Sequence, residues 1–258
     1  PSATPLSPAP GSACTPGTTP MAQDWNDRVW YEVFVRSFKD ASGDGIGDLR
    51  GLTQQLDYLN DGNPATTQDL GVTGLWLMPI AESPSYHGYD VTDYRKVEPD
   101  YGTAEDLRVF LAAAHERGIK VIVDLVLNHS SIAHPWFQDA RTPGAEHDDW
   151  YVWEDEQPTW VGPGGQVVWH PDGERWYYGV FWEGMPDLNL RNPETTAELE
   201  DVARFWLEEV GVDGFRLDAA KHFIEDGKDA QTNTPETKAW LAGFKDSVAA
   251  VSPDALLV

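Results

Sequence analysis

Residues 120–129 read KVIVDLVLNH, a nearly continuous apolar run that ends in polar side chains. A strand that is apolar on both faces is typical of a parallel sheet covered by helices on each side. Similar runs are VWYEVFV (29–35), GLWLMPI (74–80), VDGFRLDAA (212–220) and ALLV (255–258). Strand-like and helical patterns alternate between them, which indicates repeated βα units. The sequence therefore predicts an α/β fold built on a parallel sheet.

The segments between these strands carry helix signals and one long irregular excursion. Thr103 and Asp106 have the form of a capping box, and Asn192-Pro193 opens another helix. Residues 130–190, after the third strand, are rich in Trp, Tyr, Gly and Pro. Barrel enzymes place substrate-binding insertions at the carboxyl ends of strands. No glycine-rich phosphate loop follows a strand, so a barrel is favoured over the alternative, an open doubly wound sheet.

The composition of the chain limits the classes of partner that it can bind. The chain has 258 residues and a formal net charge of −25, from 43 acidic and 18 basic side chains. Nucleic acid binding needs a basic face, so that class is excluded. No apolar run approaches the ~20 residues of a membrane span. Residues 1–24 open with a stretch rich in Pro, Ser and Thr, as in flexible tails. Such a leader is common next to a cleaved secretory signal. No secretory signal is present in this chain, and we expect a secreted or extracytoplasmic protein.

Two neighbouring strands end in charged or titratable side chains. In GFRLDAAKH (214–222), strand alternation places Arg216 and Asp218 on one side and Phe215 on the other. Buried charges need a partner or a function, and a nearby arginine favours the ionised carboxylate that a nucleophile requires. A structural Arg–Asp pair is the alternative. His129 ends the preceding strand as a candidate hydrogen-bond donor at the rim, although a lone rim histidine is more often structural.

Several segments resemble the signature segments of the α-amylase family of retaining glycoside hydrolases, in order from about residue 28 onward. These segments are VWYEVFVRSF (29–38), HGYDVTDY (87–94), PDYGT (99–103), DLVLNH (124–129), MPDLNL (185–190) and GFRLDAAKH (214–222). The resemblance implies the N-terminal half of a TIM-type (β/α)8 barrel with an irregular insertion domain after the third strand. The implied domains are a tail at 1–24, the barrel at 25–129 and 191–258, and the insertion at 130–190.

The resemblance also implies catalytic roles. Asp218 is the expected nucleophile, Arg216 orients it, and His129 contacts the sugar at the cleavage site, while Asp124 mainly supports its strand end. Retaining hydrolysis needs two carboxyls about 5 Å apart. The acid/base glutamate of the family would follow ALLV (255–258). We therefore expect an α-glucan hydrolase whose 258-residue chain is inactive alone.

Substrate contacts are implied in the same way, with an α-glucan or maltooligosaccharide as the expected ligand. Tyr89 is expected to stack on the sugar, His87 to line the pocket, and Lys221 and His222 to border the leaving-group side. Tyr86 stands where α-glucosidases of the family commonly carry an aspartate, which favours an endo-acting α-amylase; the MPDLNL segment leans instead toward neopullulanase-like members. An α-glucosidase, a transglycosylase and a non-catalytic sugar-binding relative remain alternatives.

A candidate calcium loop follows the first strand. DASGDGIGD (40–48) resembles the first nine positions of an EF-hand loop, but Gly51 stands where an EF-hand has glutamate. Loops of this kind hold Ca²⁺ in many members of the α-amylase family, whereas a metal-free Asp/Gly turn is the alternative. A second family calcium site, at Asn128, Asp187 and the His222 backbone, is left open by the sequence. The expected donors of the loop are Asp40, Ser42, Asp44, the carbonyl of Ile46 and Asp48.

Aromatic side chains dominate the insertion, Phe181 and Trp182 among them. Flat rings suit a glucan groove, and a small domain also needs them for its own core. For any single ring the sequence favours core packing.

Overall fold

The computed structural model describes residues 25–258, so predictions about the tail at 1–24 lie outside it. The strands in this part of the chain are β1 (Trp30–Val33), β2 (Gly74–Leu77), β3 (Ala81–Glu82), β4 (Asp93–Val97), β5 (Lys120–Leu125), β6 (Trp153–Glu154), β7 (Trp169–Asp172), β8 (Arg175–Tyr178), β9 (Gly214–Leu217) and β10 (Leu256–Leu257). The helices are α1 (Val35–Phe38), α2 (Leu49–Gln54), α3 (Leu56–Leu59), α4 (Ala104–Glu116), α5 (Pro135–Ala140), α6 (Pro193–Arg204) and α7 (Pro235–Val251). Short 3-10 turns lie at Trp25–Asp27, Asp148–Trp150 and Ala220–His222, and a π-helical turn at Phe205–Val210 extends α6.

The main sheet has five strands in the order β1-β2-β5-β9-β10, and each neighbouring pair is parallel. Strands that follow one another in the sheet also follow one another along the chain, and helical segments join them. This is how a (β/α)8 barrel is built. The predicted fold class, the N-terminal half of such a barrel with an irregular insertion after its third strand, is confirmed.

Strand alternation divides the main sheet into two faces. Leu75, Leu77 and Phe215 are fully buried and belong to the main hydrophobic core. Asp124 and Arg216 are paired in register on adjacent strands and face the other side. The sheet therefore separates an apolar face, which the helices cover, from a polar face that leads to the carboxyl ends of the strands.

Residues 130–190 carry a three-stranded antiparallel sheet in the order β6-β8-β7, separate from the main sheet and from the antiparallel pair β3-β4. Phe137 lies at the centre of the adjoining aromatic core. Its ring centroid is 5.0 Å from those of Tyr151 and Tyr177, and it stacks on Trp153 at 5.6 Å. Many of the aromatics of this segment thus serve its own packing, as the sequence favoured.

Helix termini follow the sequence signals. The capping box of Thr103 and Asp106 is present at the start of α4, and Asn192 caps α6. The apolar pattern of residues 49–59 gives two short helices, because the chain departs from helical geometry at Gln55. No helix among residues 25–258 is long and apolar enough to span a membrane.

We predict that His134→Asn reduces the slope with which the free energy of unfolding falls as the pH drops. Burial lowers the pKa of His134 to about 3, against an ordinary value of 6.5. The unfolded chain therefore binds a proton between those values that the folded chain does not, so stability falls as the pH drops below 6.5. His134 Nδ1 also accepts the Trp136 N–H at the start of α5, and asparagine keeps an acceptor there without titrating. Urea unfolding across this pH range measures the slope; equal slopes in both proteins would contradict the prediction.

Candidate active site

A cavity of about 360 Å³ lies beyond the carboxyl ends of β5 and β9, the edge at which barrel enzymes place their active sites. Part of its wall is polar and part is aromatic. It is lined by His87, Tyr89, His129, Phe181, Trp182, Met185 and Asp218.

Arg216 joins two carboxylates at the base of this cavity. Its guanidinium donates to Asp218, two residues further along the chain, and lies 3.1 Å from Asp124 Oδ1 on the neighbouring strand. The Asp218 backbone N–H donates to the Leu125 carbonyl at 3.1 Å, which continues the sheet ladder to the cavity. Asp218 is therefore fixed by its backbone and by an ion pair at once.

Asp124 is the acceptor that the surrounding groups share. The Tyr89 hydroxyl and the Trp76 indole N–H both donate to its Oδ2, each at 3.2 Å. Burial raises the pKa of Asp124 to about 6, although Arg216 opposes that shift. The Arg216 guanidinium lies 5.1 Å from the centre of the Trp76 ring, a cation–π contact. Asp124 thus connects Arg216 to Tyr89, a wider role than the strand support expected from the sequence.

A tight turn places His87 and Tyr89 together in the cavity. Gly88 between them has φ +81°, and a Cβ there would lie 2.9 Å from Pro79 Cβ, so only glycine fits. The two rings stack at 5.9 Å. The Tyr89 N–H donates to His87 Nδ1 at 3.1 Å, which assigns the proton of a neutral imidazole to Nε2. Burial raises the pKa of Tyr89. His87 can therefore donate and Tyr89 can stack.

His129 is buried and neutral over most of the acid range, because burial lowers its pKa to about 4. Its Nδ1 lies 3.3 Å from the amide nitrogen of Asn128, which is a donor. Nε2 then carries the proton, and it has no hydrogen-bond partner among the described residues. A buried donor without a partner is costly, so it marks a place where a ligand acceptor would bind.

The segment after Asp218 turns sharply away from the sheet. Ala219 adopts a left-handed conformation with φ 54°, which is uncommon for a residue other than glycine. Lys221 is exposed, and neither it nor His222 lines the cavity. His222 instead packs behind the cavity wall, 5.6 Å from the Phe181 ring, where burial lowers its pKa. The structure thus brings Asp218, Arg216, His129, His87 and Tyr89 together and leaves Lys221 and His222 outside this group.

Loop 40–48 is held by hydrogen bonds from its own backbone. Asp40 accepts the N–H groups of Gly43 and Gly45, and these bonds lower its pKa. Asp48 accepts the N–H groups of Ala41 and Ser42 and also caps α2. The described residues include no group of three or more His, Cys, Asp or Glu side chains arranged to hold a metal ion. The loop still offers hard oxygen donors of the kind that Ca²⁺ takes, and calcium there stays a prediction.

Asn128 and Asp187 form a separate buried polar pair behind the cavity. Asn128 Oδ1 has no hydrogen-bond partner among residues 25–258, and burial raises the pKa of Asp187 well above its ordinary range. An unpartnered oxygen beside a buried carboxyl fits a cation better than it fits a closed core.

Comparison with known proteins decides the family. The family model described as "Alpha amylase, catalytic domain" matches residues 32–258. The chain belongs to the alpha-amylase family. Alpha-amylase 3 of Dictyoglomus thermophilum is 44% identical to this alpha-amylase family chain over 236 residues, which cover 91% of the chain and 43% of that protein. Trehalose synthase/amylase TreS of Mycolicibacterium smegmatis is 41% identical over 244 residues, covering 90% of the chain and 39% of that protein.

Solved structures give the same result. The alpha-amylase from H. orenii matches with a TM-score of 0.81 and 49% identity, covering 89% of this chain and 46% of that one. The trehalose-6-phosphate hydrolase of Bacillus licheniformis matches with a TM-score of 0.82 and 32% identity, covering 90% and 44%. The chain therefore spans less than half the length of these relatives.

Sequence reasoning did not assign Phe181, Trp182 and Met185 to the cavity, and it missed the shared role of Asp124. Phe181 and Trp182 belong to an insertion crowded with aromatics, and no local signal separates cavity rings from core rings. The shared role of Asp124 depends on Trp76 and Tyr89, which are distant in the chain, so only the fold reveals it.

We predict that Arg216→Met destabilises the protein by about 3 kcal/mol near pH 7, because it leaves Asp124 buried beside Asp218 without a cation. The loss should shrink at about pH 5, since the pKa of Asp124 is already about 6 and rises further without Arg216. The control is Arg36→Met, which breaks a surface pair with Asp100 and should cost less than about 1 kcal/mol at both pH values.

Urea unfolding at both pH values measures the two losses. Equal losses for Arg216→Met and Arg36→Met, or a larger loss at the lower pH, would count against the ion pair as the organiser of the site.

Proposed function

We propose that this chain carries the nucleophile and sugar-binding side of an α-glucan hydrolase that cleaves α-glycosidic bonds with retention. The observation that carries the proposal is the Arg216 bridge between Asp124 and Asp218 in a cavity that also holds Tyr89 and two histidine donors. A carboxylate fixed beside a guanidinium and facing a partly aromatic cavity suits attack on a neutral sugar.

In the proposed reaction, an oxygen of Asp218 attacks the anomeric carbon and forms a glycosyl ester as the bond to the leaving-group oxygen breaks. A second carboxyl protonates that oxygen and then takes a proton from water, which hydrolyses the ester. His87 and His129 donate to sugar hydroxyls through Nε2–H, and Tyr89 packs on the ring. Arg216 keeps Asp218 ionised and oriented throughout.

The second carboxyl is not in this cavity. Among the described residues that line it, Asp218 is the one with a carboxylate. We therefore propose that the 258-residue chain by itself does not hydrolyse glycosidic bonds at an enzymatic rate. Starch-degrading activity of this chain alone would contradict that proposal, so the other activity experiments use the full-length protein.

A second candidate is transfer of the glucosyl unit to another sugar. Relatives named trehalose synthase, from Pimelobacter sp. and Thermus thermophilus at 41% and 42% identity, favour it. The first step is the same, and the difference is whether water or a sugar hydroxyl accepts the glycosyl group. Incubation with maltose separates the two. Both routes release one glucose as the leaving group of the first step, so glucose as the sole product, two per maltose, indicates hydrolysis, whereas a new disaccharide or trisaccharide indicates transfer.

We predict that a 2-deoxy-2-fluoroglucosyl fluoride labels Asp218 in the full-length protein. The fluorine slows hydrolysis of the glycosyl-enzyme, so the ester accumulates and peptide mass spectrometry locates it. Asp218→Asn should lose both the label and at least about 10³-fold of kcat. The control Asp226→Asn changes an exposed carboxyl nearby and should keep both. Labelling of any other residue would overturn the assignment.

Calcium binding by loop 40–48 is part of the proposal. The support is the oxygen-rich donor set and a loop backbone already organised by Asp40 and Asp48. We also propose a secreted or extracytoplasmic location, supported by the composition of residues 1–24 and testable by cell fractionation.

We predict that Ca²⁺ raises the melting temperature and that Asp44→Ala removes this effect. Asp44 is exposed, and in the loop it accepts only the Ile46 N–H, so its loss removes a donor with little structural cost. By linkage, a ligand at about 100 times its Kd stabilises by about 2.7 kcal/mol. Asp246→Ala, an exposed change on α7, is the control and should keep the full calcium effect. A calcium-dependent shift that survives Asp44→Ala would place the ion elsewhere.

A further inference from the structure

Two adjacent aromatic side chains of the insertion are exposed at the cavity. Phe181 is 44% exposed and Trp182 is 47% exposed, and both line the cavity that holds Asp218. Large apolar side chains of this kind are usually buried, and an exposed aromatic pair beside a concave site marks a ligand surface. These rings therefore differ from the packed aromatics around Phe137.

The backbone that carries Trp182 is fixed by three hydrogen bonds. The Met185 N–H donates to the Trp182 carbonyl at 3.0 Å and closes a turn. The Ile132 N–H donates to the Gly184 carbonyl at 2.9 Å, and the Tyr177 hydroxyl donates to the Glu183 carbonyl at 2.6 Å. The turn at residues 182–185 is thus tied to two other parts of the insertion, so the ring is presented from a rigid support.

The Trp182 indole itself rests on Gly184. A Cβ added at Gly184 would lie 2.2 to 2.7 Å from three atoms of the indole ring. The ring therefore lies against the glycine backbone, and any larger residue there would displace it. A flat ring held on one side and open to solvent elsewhere is preorganised for stacking, because binding costs it little conformational freedom.

Phe181 and Trp182 differ in what they contact. The Phe181 ring lies 5.1 Å from His129 and 5.6 Å from His222, so it belongs to the pocket of the sugar at Asp218. Trp182 shows no ring contact with another aromatic residue among residues 25–258. Its exposed surface forms part of the cavity wall.

We infer that Trp182 is a stacking platform for the second glucose unit of an α-glucan, next to the unit held at Asp218. The C–H groups on one face of a pyranose ring form an apolar surface that matches an indole face. This inference rests on the proposed function. It assigns a binding role to a side chain that, among the described residues, makes no hydrogen bond or ion pair with Asp218 or Arg216, so its loss affects long substrates only.

Steady-state kinetics of the full-length protein with two substrates test the platform. One is maltotetraose, which fills both sugar positions, and the other is α-glucosyl fluoride, which has one sugar and a leaving group of a single atom. Trp182→Ala should lower kcat/KM for maltotetraose about tenfold, mainly through KM, and leave kcat/KM for α-glucosyl fluoride within about twofold. Gly184→Ala should act in the same direction with Trp182 intact, and Trp182→Phe should recover most of the loss. The control Tyr58→Ala removes another exposed aromatic, on α3, and should leave kcat/KM unchanged for both substrates.

The kinetic results either support or contradict the stacking platform. Equal losses on both substrates, with no recovery in Trp182→Phe, would show that Trp182 supports the fold or packs against another protein segment, and would overturn the platform. No loss on maltotetraose would also overturn it. If the wild-type protein cleaves neither substrate, the proposed function is wrong. Quenching of tryptophan fluorescence by maltotetraose then tests the platform alone. Loss of this quenching in Trp182→Ala supports the platform, and unchanged quenching refutes it.

Discussion

The buried carboxylate of Asp124 constrains the whole polar end of this barrel sheet. A charge removed from water must be compensated, and here Arg216, Tyr89 and Trp76 all donate to it. These donors come from different strands and loops, so satisfying one carboxylate fixes their relative positions. The position of Asp218 depends on the same network, because the Arg216 guanidinium that compensates Asp124 also forms an ion pair with Asp218. The raised pKa of Asp124, about 6, shows that compensation is incomplete, as expected where burial outweighs a single cation.

Much of the fold was predictable because it depends on local patterns. The apolar run at 120–129 became the central strand β5, and the capping box at Thr103 formed as its sequence indicates. The break at Gln55 was not predictable, since Leu49, Leu52, Leu56 and Leu59 fall at spacings of three and four residues, which fit one continuous helix. The π-helical turn after α6 is another such case, because Leu199, Val202, Trp206 and Val210 keep a helical spacing through it. Packing against the rest of the domain decides such details, and a helical period does not record it.

The candidate site divides in the same way. Residues at strand ends, such as Arg216 and His129, were found because alternation and charge made them unusual. Phe181 and Trp182 were not distinguished from their neighbours, because the residue type alone does not show whether an aromatic side chain packs in a core or lines a cavity. The insertion therefore has two kinds of ring: those around Phe137 that hold it together, and those that it presents to the cavity.

Ala219 gives the site a cost that its contacts do not reveal. A left-handed backbone at a residue with a Cβ is unfavourable by about 1 kcal/mol, and it stands directly after Asp218. The strand ladder before it and the 3-10 turn after it keep the joint from relaxing. Glycine would relieve the strain, and the backbone bonds on either side, from Asp218 N–H to the Leu125 carbonyl and from His222 N–H to the Ala219 carbonyl, would still hold the joint.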